Sequence, residues 1–83
     1  MIRDEVLAIV ATAVSTVLEV DAAGVRADLR FAEDLQADSL ALVEIVEIVE
    51  EQLAGHGFAF ADEDLDALLT VGDAVEYALA RLG

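Results

Sequence analysis

The sequence predicts an all-α fold: a four-helix bundle with three longer helices, one short third helix and a long loop between helices one and two. Three observations carry this. Apolar residues recur at spacings of three and four in three separate segments, the one-face pattern of amphipathic helices. No segment alternates apolar and polar residues for long enough to build a sheet. The chain also holds no proline, so nothing interrupts the helical periods.

Taken in order, Ile2, Val6, Ile9, Val10, Ala13, Val14 and Val17 share one face of a first helix that runs to about Glu19. From Asp21 to Asp38 no helical period is sustained, and the apolar residues Val25, Leu29, Phe31 and Leu35 stand singly, so a loop pinned by those side chains is expected. Loops of that length are uncommon in compact domains and tend to be functional. Asp38 or Ser39 then offers an N-cap oxygen to a second helix, whose apolar side is Leu42, Ile45, Val46, Val49 and Leu53. Its opposite side carries Glu44, Glu47, Glu50 and Glu51, and Gly55 and Gly57 around His56 are expected to stop it.

Phe58 and Phe60 alternate but have no partner strand, which makes them loop anchors. Asp62 is expected to cap the short helix, with Leu65, Leu68 and Leu69 facing inward. Thr70 and Asp73 form a capping box with Asp in place of the usual Glu or Gln. The last helix buries Val71, Ala74, Val75, Ala78, Leu79 and Leu82, and Arg81 in its final turn suits the helix dipole.

Composition narrows the function. The 83 residues predict one domain spanning 1–83, with no internal repeat, and a hydrophobic fraction of 58% excludes disorder. The longest uncharged stretch, 13 residues from Val6 to Leu18, falls short of the roughly 18 that suggest a membrane span. Asp4 and Glu5 lie where a signal peptide would be basic, so a cytoplasmic protein is expected. Without cysteine there is neither disulfide nor thiolate chemistry. The net charge of −14, with Arg3, Arg26, Arg30 and Arg81 as the only cations, disfavours nucleic acid and anionic membranes. Such a surface suits a basic protein partner and a monomer.

Few residues could carry chemistry. His56 sits between two glycines with no nucleophile nearby in sequence, and the carboxylates line helix faces expected to be wet. Asp62, Asp64, Asp66 and Asp73 match several ligand positions of a calcium loop, but Ala67 stands where that loop needs glycine, and no helix enters it. A solvated acidic helix start is the better reading. Of the two serines, Ser15 lies near the apolar face of the first helix, which leaves Ser39 at a loop-to-helix junction. Alone it would read as a helix cap. Its setting, FAEDLQADSLALVEIVEIVEE from Phe31 to Glu51, holds seven acidic residues and no basic one.

That stretch resembles the signature of acyl carrier proteins, in which a leucine, a glycine and a variable residue precede Asp-Ser-Leu at the start of the second helix. The order of elements resembles the family along essentially the whole chain, which implies an acyl-carrier-type four-helix bundle and a carrier, not an enzyme. By that resemblance Ser39 is the attachment site of a 4'-phosphopantetheine arm, transferred covalently from coenzyme A, which holds acyl groups as thioesters. Asp38 is its neighbour used by the phosphopantetheinyl transferase. Leu40, Val43, Glu44, Glu47, Glu50 and Glu51 lie on the side that meets the transferase, acyl-loading enzymes, ketosynthases and other basic-faced enzymes.

Those enzymes would belong to fatty-acid, polyketide or related secondary-metabolite biosynthesis, antibiotics included, and the acyl chain is expected to shelter against Val46, Phe60 or Leu65. Departures from the pattern point to a specialised pathway. Gln36 stands where glycine is usual, Ala61 replaces a frequent proline, Glu47 takes a place often apolar, and the Ala54 to Phe60 segment looks long. The alternatives are a peptidyl or aminoacyl carrier and, from a different class, a small acidic helical adaptor without a prosthetic group.

Overall fold

The computed structural model describes residues 1–82; residue 83, the last of the predicted domain, lies outside the described residues. Three α-helices dominate: α1 (Arg3–Leu18), α2 (Ser39–Gln52) and α3 (Val71–Leu82). A short 3-10 helix, Asp62–Ala67, takes the place of the short third helix, and 3-10 turns occupy Ala22–Gly24 and Ala54–His56. The bundle is all-α with three longer helices and one short one, in the predicted order.

Helix α1 packs against both α2 and α3, while those two touch each other little. This accounts for the uncharged stretch Val6 to Leu18 of α1, which is screened from water on two sides. Val6, Val10, Ala13 and Val14 of α1 meet Ile45 and Val49 of α2 and Val71, Val75 and Ala78 of α3 in a core that is essentially closed to solvent. Exposed Thr12 and Thr16 donate their hydroxyls back to the carbonyls of Ala8 and Thr12, each at 2.9 Å. Ile2 is not part of the buried face. It is the N-cap of α1 and 64% exposed, its amide donating to Glu5 Oε1 at 2.9 Å.

The loop expected to be pinned by its apolar residues does bury Val25 and Phe31 and half-buries Leu29 and Leu35. It is further ordered by one local cap and by bonds to the start of α3. Asp21 caps the Ala22–Gly24 turn by accepting from the Ala23 amide at 3.0 Å, and Arg30 pairs with Thr70 in an isolated antiparallel bridge. Phe31 donates its amide to the Leu69 carbonyl at 3.0 Å, and Val71 donates to Leu29 at 2.9 Å, which ties this loop to the start of α3. Close approach is required there: a Cβ on Gly72 would lie 3.0 Å from the Ala27 carbonyl oxygen.

At its other end α2 stops at Gln52, ahead of Gly55, because the Ala54–His56 turn takes over; Gly57 then adopts φ 68° and ends that turn. Phe58 and Phe60 are buried loop anchors in edge contact, their ring centroids 4.8 Å apart. Phe60 stacks on Tyr77 at 5.0 Å, and the Arg81 guanidinium also lies over the Tyr77 ring, 3.5 Å from its centroid.

Two expectations for the short helix fail. Its N-cap is Ala61, without a side-chain cap, and Asp62 is its first residue. The Ala61 amide is met instead by the Tyr77 hydroxyl at 3.1 Å, which in turn donates to Asp64 Oδ2 at 2.8 Å. Leu69 does not face inward but is 66% exposed, since only Leu68 of that pair can reach the core as the chain turns into α3. The capping box of α3 forms, with Thr70 N donating to Asp73 Oδ2 and Asp73 N to Thr70 Oγ1, each at 3.0 Å.

Among the described residues no helix is long and apolar enough to cross a membrane, and no three potential ligands gather where they could hold a metal ion. The Asp62 to Asp66 carboxylates lie on a helical turn, with Asp64 engaged by Tyr77 and Arg81, and so form no calcium loop.

Candidate functional site

Both Asp38 and Ser39 could have capped α2, and the structure assigns that role to Asp38. Its backbone is extended (φ −80°, ψ −176°), and its Oδ1 accepts from the Ala41 amide at 2.8 Å. Ser39 is thereby the first helical residue. It is exposed, and its hydroxyl has no partner among the described residues.

A tight turn delivers the chain to that serine. The Arg30 carbonyl accepts from the amides of Asp34 and Leu35, each at 3.0 Å, while Asp34 Oδ2 accepts from the Arg30 amide at 2.8 Å. Ala37 is buried and donates to the Phe31 carbonyl at 2.7 Å. Between these anchors Gln36 adopts φ 55°, in the left-handed region that glycine favours. Gln36 therefore occupies a backbone conformation suited to glycine and carries the strain of doing so.

Beside Ser39 opens a groove of about 180 Å³, which Phe31, Ala37, Leu42, Leu65, Leu68 and Leu69 help to line. Its wall combines the turn before α2 with the short helix. The residues expected to shelter an acyl chain divide: Leu65 lines this groove, whereas Val46 and Phe60 are buried in the core and face no opening at the serine. Sequence patterning missed Leu69 as a groove residue, because spacing alone placed it on the buried side.

Along α2, Leu40 is 67% exposed, Val43 is half-buried, and Glu44, Glu47 and Glu51 are exposed. Leu40, Glu44, Glu47 and Glu51 follow one another at helical spacing and form a stripe that begins beside Ser39. Glu50 differs. It is half-buried, and its Oε2 accepts from the Phe60 amide at 2.9 Å, fastening α2 to the loop beyond it.

Each arginine is paired away from this stripe: Arg3 with Glu76, Arg26 with Asp28, Arg30 with Glu33 and Arg81 with Asp64. The hydrogen bond and charge of Glu33 also hold the Arg30 guanidinium above its ordinary pKa. No cation of the described chain neutralises the α2 carboxylates.

A helical bundle that presents one exposed serine at a helix start, beside a small groove and an uncompensated acidic stripe, has the form of a carrier domain. The family model for the phosphopantetheine attachment site matches residues 8–78. The acyl carrier protein of Prochlorococcus marinus (strain MIT 9515) is 39% identical over 83 residues, covering 100% of both chains. That of Chlamydia caviae is 41% identical over 66 residues, covering 80% of this chain and 82% of its own. A solved structure of the Enterococcus faecalis acyl carrier protein superposes with a TM-score of 0.73 at 36% identity, covering 98% of this chain and 99% of the other. The chain belongs to the acyl carrier protein family, whose members carry 4'-phosphopantetheine and are carriers, not catalysts. An adaptor without a prosthetic group is thereby set aside.

Proposed function

We propose that Ser39 is the residue that receives the phosphopantetheine arm. The observation that carries this reading is the division of roles at the start of α2: Asp38 caps the helix, leaving the exposed Ser39 hydroxyl available. Loading forms a bond from Ser39 Oγ to the pantetheine-side phosphorus of coenzyme A and breaks the pyrophosphate bond. Adenosine 3',5'-bisphosphate leaves, and the hydroxyl proton passes to a base or to solvent. When bound, the arm supplies the thiol that this cysteine-free chain lacks, on which an acyl group is held as a thioester.

The residues present fit that group. A phosphodiester at Ser39 lies at the first turn of α2, where helix amides favour an anion, while Asp38 opposes it. Transferase and acyl-processing enzymes with basic faces dock on Leu40, Val43, Glu44, Glu47 and Glu51. Exposed ion pairs of this kind contribute roughly 0.2 to 1 kcal/mol each, so docking is weak and salt-sensitive, as a shuttle requires. Glu50 supports this face through Phe60 more than it meets partners.

The acidic stripe and the Asp before Ser39 favour an acyl load over a peptidyl or aminoacyl one. Glu47 on the docking face, where fatty-acid carriers are often apolar, favours enzymes of polyketide or other secondary metabolism. A cytoplasmic monomer is consistent with the net charge of −14.

Intact-mass measurement after incubation with coenzyme A and a broad-specificity phosphopantetheinyl transferase tests the attachment. The wild type should gain one phosphopantetheine increment and Ser39→Ala none. A loaded Ser39→Ala would exclude Ser39, and an unloaded wild type would refute the reading as a whole.

A further inference from the structure

Leu69 exposes two-thirds of its surface, yet its backbone is pinned on both sides. Its amide donates to Asp73 Oδ2 at 3.0 Å and to the Ala67 carbonyl at 3.1 Å, and its carbonyl accepts from the Phe31 amide at 3.0 Å. The side chain cannot fold into the core by local adjustment, because Leu68 already fills that place. Leu69 lines the groove beside Ser39 and also a second one, of about 250 Å³, together with Arg30, Glu33 and Asp73. Carboxylates rim it on either side: Asp38 and Asp66 line the first groove, Glu33 and Asp73 the second. Arg30, the one cation there, is paired with Glu33. On the serine's other flank in sequence stands Leu40, 67% exposed.

We propose that Leu69 is a docking residue which, with Leu40, inserts into an apolar socket rimmed by Lys or Arg at the active-site entrance of the enzyme that loads Ser39. An enzyme that reaches the Ser39 hydroxyl covers the groove that Leu69 lines, and so meets an apolar point inside an acidic rim. Charge complementarity selects the occupant. A second copy of this chain would bring its own acidic rim and net charge of −14 against the first. The apolar contact survives salt, unlike the Glu44 and Glu47 contacts, and so lends the complex a salt-independent part. This inference rests on Ser39 as the loading site.

The test measures kcat and KM for transfer from coenzyme A to the apo chain by a broad-specificity phosphopantetheinyl transferase, at several salt concentrations. Leu69→Ser should raise KM about fivefold to thirtyfold, the range expected when only the exposed two-thirds of a leucine is left to be buried on docking. It should leave kcat within about twofold and the salt slope of kcat/KM unchanged, whereas Glu47→Gln should flatten that slope. Leu69→Met should restore KM, and the thermal midpoint of Leu69→Ser should match the wild type, since the side chain supports no core. A wild-type KM in Leu69→Ser, or a Leu69→Met variant as impaired as Leu69→Ser, would overturn the docking role while leaving Ser39 loading intact. A wild type that gains no mass would overturn both.

Discussion

Replacing Gln36 with glycine should make this protein more stable, although glycine loosens most chains. Gln36 holds φ 55° and is exposed, so its side chain supports little packing while its backbone sits where a Cβ crowds the following carbonyl. That conformation costs an L-residue roughly 1 to 2 kcal/mol. Glycine removes this cost but loses more freedom on folding, an offset of about 0.5 to 1 kcal/mol. The net gain is about 0.5 to 1 kcal/mol. For a domain of this size the corresponding rise in thermal midpoint is about 2 to 8 °C. Circular dichroism melts of the wild type, Gln36→Gly and Gln36→Ala separate the causes, because alanine keeps the Cβ and should melt close to the wild type. A Gln36→Gly midpoint equal to or below that of Gln36→Ala would refute the reasoning, since strain at the Cβ would then not govern this turn.

Two further outcomes follow from bonds around the site. Asp38→Ala should cost about 1 kcal/mol by removing the α2 cap, while Asp38→Asn, which can still accept from the Ala41 amide, should fall within a few tenths of the wild type in urea titrations. Equal destabilisation by both would argue against capping, and a loading defect in a stable Asp38→Asn would report on the carboxylate's charge in the transferase complex. Tyr77→Phe keeps the ring stack on Phe60 but deletes the hydroxyl that joins Ala61 and Asp64. It should cost about 1 to 2 kcal/mol and lower the thermal midpoint by about 5 to 10 °C. An unchanged midpoint would mean that water replaces the hydroxyl without loss.

Much of this molecule was legible from spacing and residue type. The recurrence of Val6, Val10, Ala13 and Val14 defines the face of α1 that the other helices cover, and the Thr70 and Asp73 pair defines the start of α3. These features depend on neighbours within one helical turn, where the geometry is the same in any fold. Charge was legible too, for a net −14 does not depend on where the chain goes.

What tertiary structure alone decided lies where two segments distant in sequence compete for one place. Leu68 and Leu69 are equally apolar, and only the pairing of Phe31 with Leu69 and the turn into α3 determine which is buried. Asp62 reads as the cap of the short helix, but Ala61 holds the cap position, and its amide is met by the Tyr77 hydroxyl from α3. Glu50 looks like its neighbours on α2 until the Phe60 amide claims its carboxylate. Ser39 joins both kinds of information. The residues around it mark the place, while the capture of the cap by Asp38 and the groove between the α2 turn and the short helix exist only once the chain has folded.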